Sequence, residues 1–391
     1  MIFNTAEYFL FFLLPAAILC RLVAPKARPW IIITFGILFF VYFSYYYLGG
    51  IVGAFCIAIF IWESIFSRLY KPGSALCWIG VLQALLVLVI FKYWNFLTGL
   101  IFGSQNPLAW NGAFLPLGVS FFTFEFIHYA VDRYKGKAER GAFGEYMAFI
   151  LFFPTMVAGP IKRFQDFTPK LANPSTNWAL DWNRGWTRIL CGLLKKFAVA
   201  DLLTSFTDNL TAEKIPHAHR WILPVWLLAY GIKIYFDFSA YSDIAIGSAR
   251  LFGIGVPENF DWPYIRRNIA EFWNHWHISL YRWLVDYVFI PLGGSRVAPP
   301  RILGNILITM LVSGIWHGAG INFLVWGLWH GCLLIIHRLW STAHQTGKIK
   351  FQIPGFISWA LTFIAVNAGW SFFCMDMATA RLFWRHLFGY A

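Results

Sequence analysis

The chain has 391 residues, 59% hydrophobic and only 13% charged, with 31 Lys and Arg against 18 Asp and Glu. A soluble domain carries about 25% charged residues, so roughly half that density with a mean hydropathy of +0.59 excludes an ordinary soluble enzyme and makes the bilayer the main solvent. The net charge of +13 then reads as Lys and Arg gathered in cytoplasmic loops facing anionic membrane lipids, and not as a nucleic-acid footprint.

A membrane-crossing helix needs about 20 apolar residues. Apolar runs at 7–24, 30–48, 50–67, 76–101, 115–131, 189–206, 221–249, 303–316, 321–340 and 355–375 are the candidates. They predict an all-α, polytopic membrane bundle of about 10–12 helices around a central cavity. The first run, Tyr8 to Val23, lacks a basic leader and a small-residue cleavage site, so it reads as a retained helix. Six scattered cysteines without a CxxC spacing are packing residues; neither a disulfide framework nor a zinc site is expected. The chain is expected to be one membrane domain: N-terminal helices over 1–110, a motif-bearing core over 111–340 and a C-terminal helix over 341–391.

The loops set an orientation. Arg21, Lys26 and Arg28, then Arg68 and Lys71, then Asp132 to Arg140 are basic, and they alternate with the uncharged segments 45–50 and 103–114. That places the N-terminus outside and the basic loops in the cytoplasm. Pro154, Gly159 and Pro160 interrupt the apolar run 143–160, which is expected to be broken or re-entrant. Such an element keeps Lys162, Arg163, Lys195 and Lys196 on the cytoplasmic side.

Farther along, Asp237, Ser239, Tyr241, Ser242 and Asp243 are unusually dense in polar groups for their apolar surroundings. They form either a hydrogen-bonded lock between helices or one wall of a hydrophilic cavity, and the two readings are compatible. The amphipathic segment 257–286, which includes Arg266, Asn268, Trp273, Trp276 and His277, is expected at the cytoplasmic interface with one end dipping into the protein.

His317 follows an apolar run and is flanked by Gly314, Gly318 and Gly320, with Trp316 beside it. An ionisable side chain is costly in hydrocarbon, which makes it a functional hypothesis, although a packed core histidine is the competing reading. Neutral imidazole suits removal of a proton from a hydroxyl. A thioester donor would need little help with its leaving group, since thiols have a pKa of about 8.5. There is no nucleotide-binding glycine loop, no GxSxG elbow and no HExxH, and His217 and His219 read as solvated loop histidines.

These motifs in this order give the chain its resemblance. From Pro116–Phe124 and Asp132–Gly136, through Ala158–Arg163, Gly192–Lys196 and Tyr235–Asp243, to Phe272–Leu280, Tyr287–Arg296 and Trp316–Gly320, it resembles the membrane-bound O-acyltransferases. The similarity is to their bacterial branch of alginate and peptidoglycan O-acetyltransferase membrane subunits. The resemblance implies that His317 is the catalytic histidine and His277 the second polar position. It implies a cavity with a cytoplasmic donor entrance and an acceptor route from the other side. It further implies acetyl-CoA, or another acyl donor such as the D-alanyl carrier protein that a close relative uses, as donor substrate with no bound cofactor, the inner membrane as location, and a separate periplasmic SGNH-type transferase or acceptor protein as partner, with an extracytoplasmic polysaccharide as final acceptor. Asp237, Ser239, Tyr241, Ser242, Asp243, Asn268, Trp273, Trp276 and Trp316 are the candidate cavity residues. Arg163, Lys195, Lys196 and Arg266 are candidates for attracting the donor's phosphates, beside a plain positive-inside role.

Three departures stand out. Asn274 and His275 occupy positions where this branch often has two arginines, and Val285 precedes Asp286 where Arg is usual, which weakens any phosphate grip there. Relatives often carry further C-terminal helices, whereas this sequence ends at Ala391, so the acceptor is the least secure implication. Two other classes compete: a proton-coupled transporter or flippase of a lipid-linked saccharide, and a non-catalytic anchor for a periplasmic transferase.

Overall fold

The computed structural model describes residues 2–48, 50–103, 106–110 and 115–390; part of the uncharged loop expected at 103–114 lies outside them. Helices dominate, and among the described residues the only β pairing is an isolated bridge between Phe260 and Trp276. Five described helical stretches are long and apolar enough to cross a membrane: Pro25–Ser44, Ala75–Phe102, Arg220–Leu251, Ile321–Gln345 and Gly355–Cys374. Tyr8–Leu22 is a shorter apolar helix. Two other expected spans, Gly50–Phe66 and Val119–Tyr134, have 17 and 16 residues, roughly 24–26 Å at 1.5 Å per residue. The chain is a multi-pass membrane protein. It divides into two compact units: Met1–Leu193 with Tyr241–Glu258, and Leu194–Ala240 with Asn259–Ala391. Helix Leu223–Leu251 runs through the division, its first part belonging to the second unit and its last part to the first.

In the first unit, Ala75–Leu88 packs on Val119–Tyr134, and Arg28–Leu48 packs on both Gly50–Phe66 and Phe143–Ile150. Its core is aromatic: Phe39 lies against Phe3, Phe12, Phe43 and Phe153, and Phe3 meets Tyr241 at 5.0 Å between ring centroids. The run 143–160 is indeed broken. It forms only the short helices Phe143–Ile150 and Phe153–Met156, and every residue from Tyr146 to Met156 is buried. Helix Val119–Tyr134 starts later than the apolar run suggests because Gly118 takes a left-handed turn (φ 70°) hard against the Met156 carbonyl, where a Cβ would come within 2.5 Å. Several charged groups inside this unit are paired. Arg21 binds Asp181 at 2.8 Å and the Leu251 carbonyl at 3.0 Å, and Lys162 binds Glu125.

The continuous helix expected at 189–206 is corrected. Helix Trp178–Lys195 ends there, and a π-type turn, Lys196–Ala200, leads to the short helix Thr204–Thr207. A charged cluster sits where the winding changes. Lys196 Nζ lies 2.8 Å from both Asp201 and Asp237, and this three-charge cluster could not be left facing lipid.

In the second unit, Pro299–His317 and Ile321–Gln345 form a tight hairpin, and Gly355–Cys374 packs on the latter. The hairpin's backbones almost touch. A Cβ on Gly314 would sit 2.2 Å from the Phe323 carbonyl oxygen, and one on Gly327 would sit 2.5 Å from that of Met310. Small residues at such a contact let helix backbones approach where side-chain burial from water cannot drive association. The amphipathic segment 257–286 is divided into Pro263–Ile265, Ile269–His275 and Ile278–Leu284.

Candidate active site

The site lies in the second unit. His317 is the last residue of helix Pro299–His317, and Gly318 continues in an extended conformation, so the helix stops at the imidazole. The glycine makes room for the Phe323 ring, which a Cβ there would meet at 2.0 Å and have to displace. His317 is half-buried among three aromatic rings: Trp316 at 4.9 Å, Trp326 at 5.0 Å and Phe373 at 5.0 Å between centroids.

Trp316 lies between the two predicted imidazoles, since its ring is also 6.0 Å from His277. His277 is 1% exposed and adopts a left-handed backbone (φ 45°) at the start of helix Ile278–Leu284. That conformation is unusual for a residue with a side chain, and the surroundings hold it from both sides. Asn259 O accepts from Ile278 N at 2.9 Å, His275 O accepts from Asp261 N at 3.1 Å, and Asn259 Oδ1 accepts from Ser279 N and Oγ at 3.2 and 2.8 Å. Phe238 packs edge-on against the ring at 4.7 Å. Neither ring nitrogen has a hydrogen-bond partner among the described residues. Burial alone pushes the imidazole down to about 3, so it is neutral at physiological pH.

A third imidazole joins them. His330, fully buried on helix Ile321–Gln345, stands 4.9 Å from Trp326 and 5.2 Å from Trp273, and its ring nitrogens also lack partners among the described residues. Among the described residues the indole N–H groups of Trp273 and Trp326 have no partner either. Most buried polar atoms in proteins are paired, so this concentration sets the region apart from the rest of the unit. The sequence reading passed over His330, although an ionisable residue in the interior of an apolar helix was the available signal. Trp276, stacked on Phe272 and 5.0 Å from Trp370, completes the aromatic wall.

The other predicted residues fall elsewhere. Asn268 caps helix Ile269–His275: its Oδ1 accepts from Glu271 N at 2.9 Å and its Nδ2 donates to Glu271 Oε1 at 2.7 Å. Asp237 is half-exposed and held by Lys196, and Ser239 Oγ donates back to the Phe236 carbonyl of its own helix. Tyr241, Ser242 and Asp243 belong to the first unit, where Tyr241 Oη accepts from Ala158 N at 3.0 Å and Asp243 accepts from Arg188 Nε. The five polar residues of 237–243 therefore do not form a single wall within either unit. Arg266 is tied to Asp261 at 2.8 Å, with His275 Nε2 3.5 Å from the same carboxylate oxygen. Lys195 closes helix Trp178–Lys195, and Arg163 precedes helix Phe164–Ala172 in the first unit. Among the described residues, no three His, Cys, Asp or Glu side chains gather as a metal-binding set.

Comparison with known proteins agrees with this architecture. Residues 86–378, about three quarters of the chain, match the model of the membrane-bound O-acyltransferase family. A protein of Pseudomonas syringae pv. tomato named probable alginate O-acetylase AlgI is 37% identical over 312 residues, 78% of this chain and 58% of that one. Its namesake in Pseudomonas aeruginosa is 35% identical over 387 residues, 95% of this chain and 72% of that one. A peptidoglycan O-acetyltransferase of Helicobacter pylori is 32% identical over 417 residues, 95% of this chain and 77% of that one. The chain thus spans less than two thirds of the first of these relatives. It belongs to the membrane-bound O-acyltransferase family.

Proposed function

We propose that this member of the membrane-bound O-acyltransferase family transfers an acyl group from a thioester to a hydroxyl, with His317 as general base. The observation that carries the reading is the placement of His317 at a helix end, half-buried beside two further imidazoles and a group of unpartnered indoles. His317 takes the hydroxyl proton as the oxygen attacks the thioester carbonyl carbon. The tetrahedral intermediate collapses with cleavage of the C–S bond, and the proton passes from the imidazolium to the departing thiolate. A leaving thiol with a pKa of about 8.5 makes that step easy. His277, neutral in its pocket, orients the acceptor or polarises the thioester carbonyl.

The donor in this reading is acetyl-CoA arriving from the cytoplasm, and the chain sits in a bacterial inner membrane with its basic loops on that side. Relatives named for alginate and peptidoglycan acetylation support acetyl as the group and a carbohydrate as its destination. Delivery to an extracytoplasmic polysaccharide then falls to a separate periplasmic SGNH-type transferase. The test is thiol release from acetyl-CoA by the purified protein, with and without acceptor. His317→Ala should lower turnover by about 10²–10⁴-fold, the usual contribution of a general base, without changing the thermal unfolding midpoint. Undiminished turnover in that variant would refute the assignment. Saccharide movement without thiol release would point instead to a transporter.

A further inference from the structure

A cavity of about 380 Å³ lies in the first unit and has no histidine in its lining. Its lining includes Asn183, Arg184 and Arg188 from helix Trp178–Lys195, and Arg250 from the last turn of helix Leu223–Leu251. Three guanidinium groups around one pocket need compensating charge, and two of them have little. Arg188 is satisfied, with Nε on Asp243 and Nη2 on Glu258, the one carboxylate lining the pocket. Arg184 is exposed and pairs with no carboxylate among the described residues. Arg250 lies 3.8 Å from Asp181, whose other oxygen already takes Arg21 at 2.8 Å. Arg21 also binds the carbonyls of Leu251 and Arg250, at 3.0 and 3.2 Å, offsetting the negative end of that helix.

The surroundings indicate where such a pocket lies. The same helix exposes Leu180 and Leu190 beside its charged flank, the pattern of a helix at the boundary between hydrocarbon and water. Basic pockets at that depth bind anionic headgroups, and the planar fork of Arg matches phosphate oxygens.

We propose that Arg184 and Arg250, with the Asn183 amide, form a binding site for a phosphate ester. Two sources share that chemistry: the headgroup of an anionic phospholipid and the phosphates of coenzyme A. The site does not depend on His317, so His317→Ala is expected to bind as the unaltered protein does, whatever its turnover.

The experiment uses the delipidated full chain in detergent at fixed low salt and measures binding of phosphatidylglycerol, phosphatidylcholine and coenzyme A. Binding of phosphatidylglycerol but not coenzyme A identifies a lipid site, and the converse identifies a donor site. In either case Arg184→Ala with Arg250→Ala should weaken binding at least about tenfold, the scale of one lost charged hydrogen bond. Lys137→Ala, an exposed basic position in the same unit, should leave it unchanged. Arg184→Glu alone, which removes no hydrogen bond or ion pair among the described residues, should weaken binding as well, and this covers a double variant that folds poorly. The proposal is overturned if neither anion binds, if Arg184→Glu binds like the unaltered protein, or if phosphatidylcholine binds as well as phosphatidylglycerol in every variant.

Discussion

His277 should make the second unit acid-sensitive, and the size of the effect follows from its burial. Folded, the imidazole titrates at about 3 because burial disfavours its charged form; unfolded, it titrates near 6.5. Protons therefore bind the unfolded chain more readily throughout that window, so stability falls as pH falls. Each unit of pH below about 6.5 costs roughly 1.4 kcal/mol, up to roughly 5 kcal/mol by pH 3. That limit is comparable to the whole stability of many domains. His277→Asn removes the titrating group while keeping a residue that tolerates left-handed backbone. Unfolding in detergent, followed by circular dichroism from pH 7 to 4, gives the difference between the two proteins, in which other titrating groups cancel. The variant should lose stability less steeply below pH 6.5, and the two curves should run parallel above it. Parallel curves over the whole range would show that the folded protein accepts a charge at His277, refuting the desolvation argument.

Two further predictions concern structure around the site. Gly314→Ala places a methyl group against the Phe323 carbonyl, which should cost about 1–3 kcal/mol of stability by overpacking and lower acyl transfer by displacing the His317 turn; thermal unfolding and turnover assays check the two halves. Asn268→Ala should cost about 1 kcal/mol through loss of the helix cap, measured by denaturation, and a drop in turnover beyond that explained by unfolding would return Asn268 to the substrate site.

Apolar runs and basic loops were enough to read a membrane helix bundle, and His317 with its flanking glycines stood out at the end of an apolar run. What the sequence hid were interactions between distant positions. Where the helix expected at 189–206 changes its winding, Lys196 takes its second carboxylate from Asp237, far along the chain. Asp237 and Asp243 looked like one cluster, yet six residues along a helix span more than a turn and a half, and the two carboxylates have different partners, Lys196 and Arg188. Asn268 was readable in principle, since Asn followed three residues later by Glu is a capping signature. His330 was missed because its significance comes from Trp273 and Trp326, which fold around it.

The glycine contacts of the hairpin also govern its register. Packing built from interchangeable side chains can often slip or repack at modest cost. Here Gly314 faces the Phe323 carbonyl and Gly327 that of Met310, so sliding one helix by a residue would bring the Cβ of Ser313 or Ile315 to a place with no room for it. Alternative registers are excluded by hard contact, not merely outcompeted. The position of His317 along the membrane normal is thereby indexed by backbone atoms, leaving the surrounding aromatic side chains open to change without moving the base.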